Sequence, residues 1–143
     1  MTDLTSPNGT PASRFAFGAM QFGGNASEAD ARAMYDACRD AGITHFDTAF
    51  SYNDGASERI LGGLIGVDRD SLLIATKAGY DGGAGAANMQ AHFDESRRRL
   101  GLEMVDVLYL HRFDPATPLQ ETMGFFALQL EQGTIRYVGL SNF

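Results

Sequence analysis

Apolar residues along the chain fall into two alternating patterns. Nearly continuous apolar runs occur at 14–20, 43–49, 72–77, 105–111 and 135–140. Each of the first four leads into a stretch whose apolar positions recur at helical spacing. A continuous run of this length suits a strand buried on both faces, whereas i, i+3, i+4 recurrence gives a helix one apolar stripe. The first helix is predicted to open on Ser27 as N-cap, with Glu28 and Asp30 in the first turn, where they complement the helix dipole. It carries Ala31, Met34, Tyr35 and Cys38, and Gly42 follows its end. The second opens on Ser57 and buries Ile60, Leu61, Leu64 and Ile65. The third follows the glycine-rich loop 81–85, carries Met89, Phe93 and Leu100, and stops at Gly101. The fourth follows Pro115 and Pro118, carries Leu119, Met123, Phe126 and Leu130, and stops at Gly133. Strands alternating with helices predict a parallel α/β sheet covered by helices.

Two parallel architectures compete, and glycine placement separates them. A doubly wound dinucleotide-binding sheet needs GxGxxG after its first strand, and Gly18 to Gly23 does not supply it. Gly62, Gly63 and Gly66 lie within a helical pattern, and the glycines at 82–85 lack the Lys-Ser/Thr of a phosphate loop. Polar residues instead collect at strand ends. The second strand leads to Asp47, with Tyr52 in the loop after it; the third ends on Lys77 and the fourth on His111. Functional groups at the C-terminal ends of successive parallel strands point to a (β/α) barrel.

Composition narrows the class of ligand. The 143 residues are 44% hydrophobic and carry a formal net charge of −7. One domain with a real core is expected, and an acidic balance argues against gripping nucleic acid or an anionic membrane. No apolar run approaches the roughly 18 residues of a membrane helix. Cys38 is the sole cysteine, so neither a disulfide framework nor a cysteine metal site is expected, and a cytoplasmic enzyme is the natural reading. Residues 1–12, rich in Thr, Ser, Pro and Gly, read as a flexible N-terminal tail, with Asn8-Gly9 a turn within it and not a hairpin.

Taken in order, Asp47-Thr-Ala with Tyr52, Ser57-Glu58 with Leu61-Gly62, Ala75-Thr-Lys77, Leu110-His111-Arg-Phe-Asp-Pro115 and Gly139-Leu-Ser-Asn-Phe143 resemble the aldo-keto reductase family from about Phe15 onward. The resemblance implies a (β/α)8 barrel that reduces an aldehyde or ketone with NADPH, giving NADP+. It implies Asp47, Tyr52, Lys77 and His111 as the catalytic tetrad. It also implies Ser141 and Asn142 as holders of the nicotinamide carboxamide, with Gly18, Ala19, Met20 and Asp47 at the cofactor's reactive end. Ala19 stands where the family often has Thr, and Asn53 where Gly is frequent. Carbonyl reduction adds hydride to carbon and a proton to oxygen, so the site needs an acid beside that oxygen. Tyr52 is suited to be that acid, Lys77 (held by Asp47) to stabilise the tyrosinate, and His111 to orient the carbonyl.

Blander assignments cover the remaining chemistry-bearing residues. His45 shares a strand face with Asp47, yet no His-x-His pair accompanies it, so a barrel metallohydrolase and a metal site are not expected. His92 is expected on the surface, Met34 and Cys38 in the core, and Arg97, Arg98 and Arg99 on a solvated helix face. An eight-unit barrel takes about 250 residues, and the strand pattern here reaches a fifth strand. Residues 13–143 are therefore expected to form a partial barrel, truncated after strand five. Its open edges are expected to support a homodimer. The alternative function is a non-catalytic truncated half-barrel acting as an interaction module or a remnant.

Overall fold

The computed structural model describes residues 4–143. Five parallel strands lie in chain order: β1 (Ala16–Gly18), β2 (His45–Asp47), β3 (Leu73–Ala78), β4 (Val105–Leu110) and β5 (Ile135–Leu140). Sequential order without a crossover past an earlier strand is the order of a barrel wall and not of a doubly wound sheet. Four helices connect them: α1 (Glu28–Asp40), α2 (Ala56–Ile65), α3 (Ala86–Leu100) and α4 (Leu119–Glu131). The sheet is open, with β1 and β5 outermost among the described strands.

Each strand's two faces have different partners. Phe46, Ile74, Leu108 and Leu110 point to the helices and join Tyr35, Leu61, Ile65, Met89, Phe93 and Phe126 in the main core. Leu73, Ala75 and Val107 form a smaller cluster on the other face, with Tyr109, Tyr137 and Ala12 against them. Register places Lys77 beside Tyr109, and Gly18 beside Asp47. Chemistry-bearing positions on neighbouring strands thus reach the same height.

Several sequence expectations need revision. Residues 4–12 are not a loose tail. They form a small hairpin turning at Asn8-Gly9, with Gly9 at φ +87° and Thr5 bridged to Pro11. Asn8 Oδ1 accepts from Ser6 Oγ and from the Thr10 amide and hydroxyl, so polar side chains close this turn without flanking apolar strands. The hairpin is anchored by the Thr5 amide, which donates to Tyr137 Oη at 3.3 Å, and by Arg136, which donates to Thr5. Residues 1–3, also assigned to the tail, lie outside the described residues.

The helix pattern holds better for position than for face. Ser27 caps α1 in a full capping box with Asp30, but Met34, expected in the core, is 41% exposed. Ser57 does not cap α2: that helix starts at Ala56 after Gly55, and Ser57 is fully buried, donating to the Ala19 carbonyl at 2.7 Å. In α4 the buried positions are Thr122, Phe125, Phe126 and Gln129, while Leu119 and Leu130 face outward. The cause is polar. Thr122 Oγ1 donates to the Ala84 carbonyl and Gln129 Nε2 to Gln90 Oε1, and these bonds rotate the helix away from its most apolar stripe.

Candidate active site at the strand ends

β2 and β3 bring the first pair together. Lys77 Nζ bonds Asp47 Oδ2 and also donates to the Thr48 carbonyl at 2.8 Å. Lys77 is largely buried, and its charge is compensated by a carboxylate and a backbone dipole. Beneath it lies the Tyr109 ring, 5.7 Å from Nζ. Burial, and after it the Asp47 carboxylate, push the Tyr109 phenol up, which makes it a poorer proton donor than an ordinary tyrosine.

Tyr52 enters from the loop after β2. The chain leaves the ladder at Asp47, makes a tight turn over Tyr52–Gly55, and starts α2 at Ala56. Asn53 and Asp54 both take positive φ, near +50°, a conformation that short polar side chains tolerate better than others. Asn53 secures it, with Nδ2 donating to the Met20 and Phe22 carbonyls at 2.7 and 2.9 Å. That bond ties the loop after β1 to the loop carrying Tyr52, a role its sequence position did not suggest. The Tyr52 ring comes to rest with Lys77 Nζ 5.0 Å from its centroid.

His111 follows β4 directly and meets Tyr52 edge-on, with ring centroids 5.7 Å apart. It is almost fully buried and its Nδ1 has no hydrogen-bond partner. Burial, with the Lys77 charge adding to it, lowers its pKa to about 4. At neutral pH the ring is therefore uncharged and can direct one N–H to an acceptor in the site. Tyr80 also packs against the His111 ring, with centroids 4.9 Å apart, and the Arg112 guanidinium lies over the Tyr80 ring. Sequence spacing did not aim Tyr80 at this site. The structure does bring it there.

The four tetrad positions thus meet at one rim. Of the residues expected near a cofactor, Gly18 and Met20 are exposed, and nothing lies within 4 Å of where a Cβ on Gly18 would stand. Ala19 must be corrected. It is fully buried in the main core and its carbonyl is taken by Ser57, so it offers no surface to a ligand. Asn142, at φ +55°, donates through Nδ2 to the His111 carbonyl at 2.8 Å and to Ser141 Oγ at 3.0 Å. The Ser141 hydroxyl hydrogen and Asn142 Oδ1 remain to engage an amide, so this donor–acceptor set fits a carboxamide.

Two further residues differ from expectation. His92 is not a free surface residue: it stacks on Phe50 at 3.8 Å, and burial lowers its pKa. Arg99 is not on a solvated face, since it pairs with the fully buried Glu58. His45 Nε2 is buried without a partner, and among the described residues no cluster of ligands could hold a metal. No helix of the described residues is long and apolar enough to cross a membrane. The tetrad positions lie along one rim, and a separate groove runs between α1 and α2, lined by Arg32, Arg59, Ile60 and Leu64.

Comparison with known proteins adds an independent line. The chain is 40% identical over 125 residues to the L-glyceraldehyde 3-phosphate reductase of Escherichia coli K12, covering 78% of this chain and 36% of that protein. It is 36% identical over 131 residues to human aflatoxin B1 aldehyde reductase member 2, covering 88% and 36%. A probable voltage-gated potassium channel subunit beta from Oryza sativa subsp. japonica is 34% identical over 145 residues, covering 94% and 44%. The chain therefore spans less than half the length of these relatives. A solved aldo-keto reductase from Bacillus halodurans in its holo form superposes with a TM-score of 0.85 at 29% identity, covering all of this chain and 51% of that one. The five parallel strands thus match part of a (β/α) barrel, and the description Aldo/keto reductase family fits residues 14–143. With fold, strand-end chemistry and sequence in agreement, this chain belongs to the aldo/keto reductase family.

Proposed function

We propose that the chain carries the tetrad half of an NADPH-dependent carbonyl reductase in which Tyr52 is the general acid. The observation that carries this reading is the Lys77 ammonium, which Asp47 holds beside the Tyr52 ring while His111 meets that ring edge-on. A bound NADPH supplies hydride to the carbonyl carbon. Ser141 and Asn142 would hold its carboxamide, and Gly18 and Met20 would border it. Tyr52 gives its proton to the carbonyl oxygen. Lys77 stabilises the resulting tyrosinate by charge, and Asp47 keeps the ammonium in place. His111, uncharged, donates a hydrogen bond to the same oxygen and orients it. The substrate is a small-molecule aldehyde or ketone; relatives named for L-glyceraldehyde 3-phosphate and for aflatoxin B1 aldehyde favour aldehydes.

Turnover of a reactive aldehyde by wild type, Tyr52→Phe and Lys77→Met tests the reading. General acid catalysis is typically worth about 10²- to 10⁴-fold. Loss of that order in Tyr52→Phe, with NADPH binding retained in a fluorescence titration, supports it. Unchanged turnover would remove Tyr52 as the acid, with Tyr80 the neighbouring phenol to try next.

A second reading has its own observation. Val138 and Leu140 on β5, with Phe113 and Phe143 beside its end, are exposed, and an apolar sheet edge of this kind suits association. In that reading the half-barrel pairs with a second copy as an interaction module. Light scattering over a concentration series separates the readings, because a monomer at high concentration removes the second.

A further inference from the structure

The loop that carries Tyr52 is held at both ends by one side chain from another helix. Arg99, in the last turn of α3, donates from Nη1 to the Phe50 carbonyl at 2.9 Å and lies over the Phe50 ring at 4.5 Å. Its guanidinium also lies flat on Gly55, where a Cβ would stand 2.4 Å from Cζ. Phe50 and Gly55 bracket Tyr52. His92, seven residues earlier on the same helix and so on the same face, stacks on Phe50 at 3.8 Å and 10°. Phe50 is thus held between two side chains of α3. The guanidinium is in turn fixed by Glu58, which is fully buried and also accepts from Thr76 Oγ1 at 2.6 Å, and by Glu95 at 2.9 Å.

Stability alone is a weak reason for this arrangement. A buried carboxylate–guanidinium pair is often replaceable by apolar residues without loss, because desolvation offsets the attraction. What it supplies is geometry: a planar fork with fixed donor directions that a lysine cannot reproduce. We propose that Arg99 is a positioning residue for the reaction, acting through Phe50 and Gly55 to hold the Tyr52 phenol over Lys77 and against His111. The inference rests on the reading of Tyr52 as the acid. A misplacement of about 1 Å can cost about 10²-fold in rate, so the clamp bears on turnover although it touches no reacting atom.

Two variants test it. Arg99→Lys keeps the charge and removes the fork, while Phe50→Leu leaves the Glu58–Arg99 pair whole and removes the ring it grips. Each is compared with wild type by nuclear Overhauser contacts between the Tyr52 and His111 rings, with the Tyr35–Phe46 contact, 5.0 Å between centroids, as internal control. kcat and KM for an aldehyde are measured in parallel. Both variants are expected to lose the Tyr52–His111 contact and keep the Tyr35–Phe46 contact, with kcat falling by about 10- to 100-fold and KM nearly unchanged. A folded variant of either kind that keeps the Tyr52–His111 contact at wild-type strength overturns the proposal. Should Arg99→Lys fail to fold, Phe50→Leu decides. If wild type shows no turnover, the reductase reading fails, and the ring contact still decides whether Arg99 positions Tyr52.

Discussion

Adjacent glycines in α2 offer a test in which the same substitution should act with opposite signs. Gly62 faces the end of α3, and a Cβ built on it stands 2.5 Å from the Leu100 carbonyl oxygen and 2.8 Å from the Leu100 carbonyl carbon and Cα. The neighbour is backbone at a helix end and cannot swing away as a flexible side chain could. At Gly63, one position on, nothing lies within 4 Å. Replacing glycine by alanine in a helix interior gains about 1 kcal/mol from backbone entropy. At Gly63 that gain stands alone. At Gly62 it opposes an overlap that α2 and α3 must separate to relieve, and overpacking of this kind costs about 1–3 kcal/mol. Because the contact is with backbone, we take the upper part of that range, leaving a net loss of about 1–2 kcal/mol. For a domain of this size each kcal/mol moves Tm by roughly 2–4 °C. Gly63→Ala is therefore expected to melt higher than wild type and Gly62→Ala lower, in thermal scans or urea titrations read by circular dichroism. Equal stabilisation by the two substitutions would refute the close packing of α2 on α3.

Other expectations are open to similar measurements. The folded pKa of His111, about 4, lies below its ordinary value, so the fold favours the neutral ring. That stability is present above pH 6.5 and is lost as pH falls from there toward 4. The full shift corresponds to about 3 kcal/mol, and screening at an open rim reduces this to about 1–2 kcal/mol; urea midpoints from pH 7 to 4 should fall further in wild type than in His111→Gln. Asp106 is fully buried between Arg69 and Arg136 and also accepts from the Ile74 amide. Asp106→Asn is expected to cost about 3–5 kcal/mol by chemical denaturation, and a loss under about 1 kcal/mol would contradict the pairing. Tyr137→Phe removes the acceptor of the Thr5 amide, so amide exchange at Thr5 should quicken while exchange at the β3 amides stays unchanged.

Periodicity carries information about which segments are strands and helices because burial is set locally, by the side of each element that must face away from water. That is why β5 agrees with the sequence expectation from Ile135 to Leu140 and why α3 ends at Gly101, which takes φ +68°. The same local signal misled where polar groups found partners far away in sequence. Ser57 looks like a cap from its neighbours alone, yet its partners are Ala19 and Thr48. Arg99 looks like part of a charge run, yet its partners are Glu58 and Phe50. Thr122 and Gln129 turned α4 by bonding to the loop before α3 and to α3 itself. Polar satisfaction is a pairwise and mostly non-local requirement, so no window of sequence displays it.

The order of the strands and the residue types at their ends were determined by sequence alone, since buried parallel strands joined by short helices leave few topologies, and acid, lysine and histidine at successive strand ends are legible as such. Which of these groups touch was decided by tertiary structure. Lys77 meets Asp47 because β2 and β3 pair in register. Tyr52 reaches them because Asn53 and Arg99 hold its loop from β1 and α3. The N-terminal hairpin and the burial of Ala19 are likewise tertiary outcomes, for each depends on hydrogen bonds to residues far along the chain, whose proximity exists only once the sheet has formed.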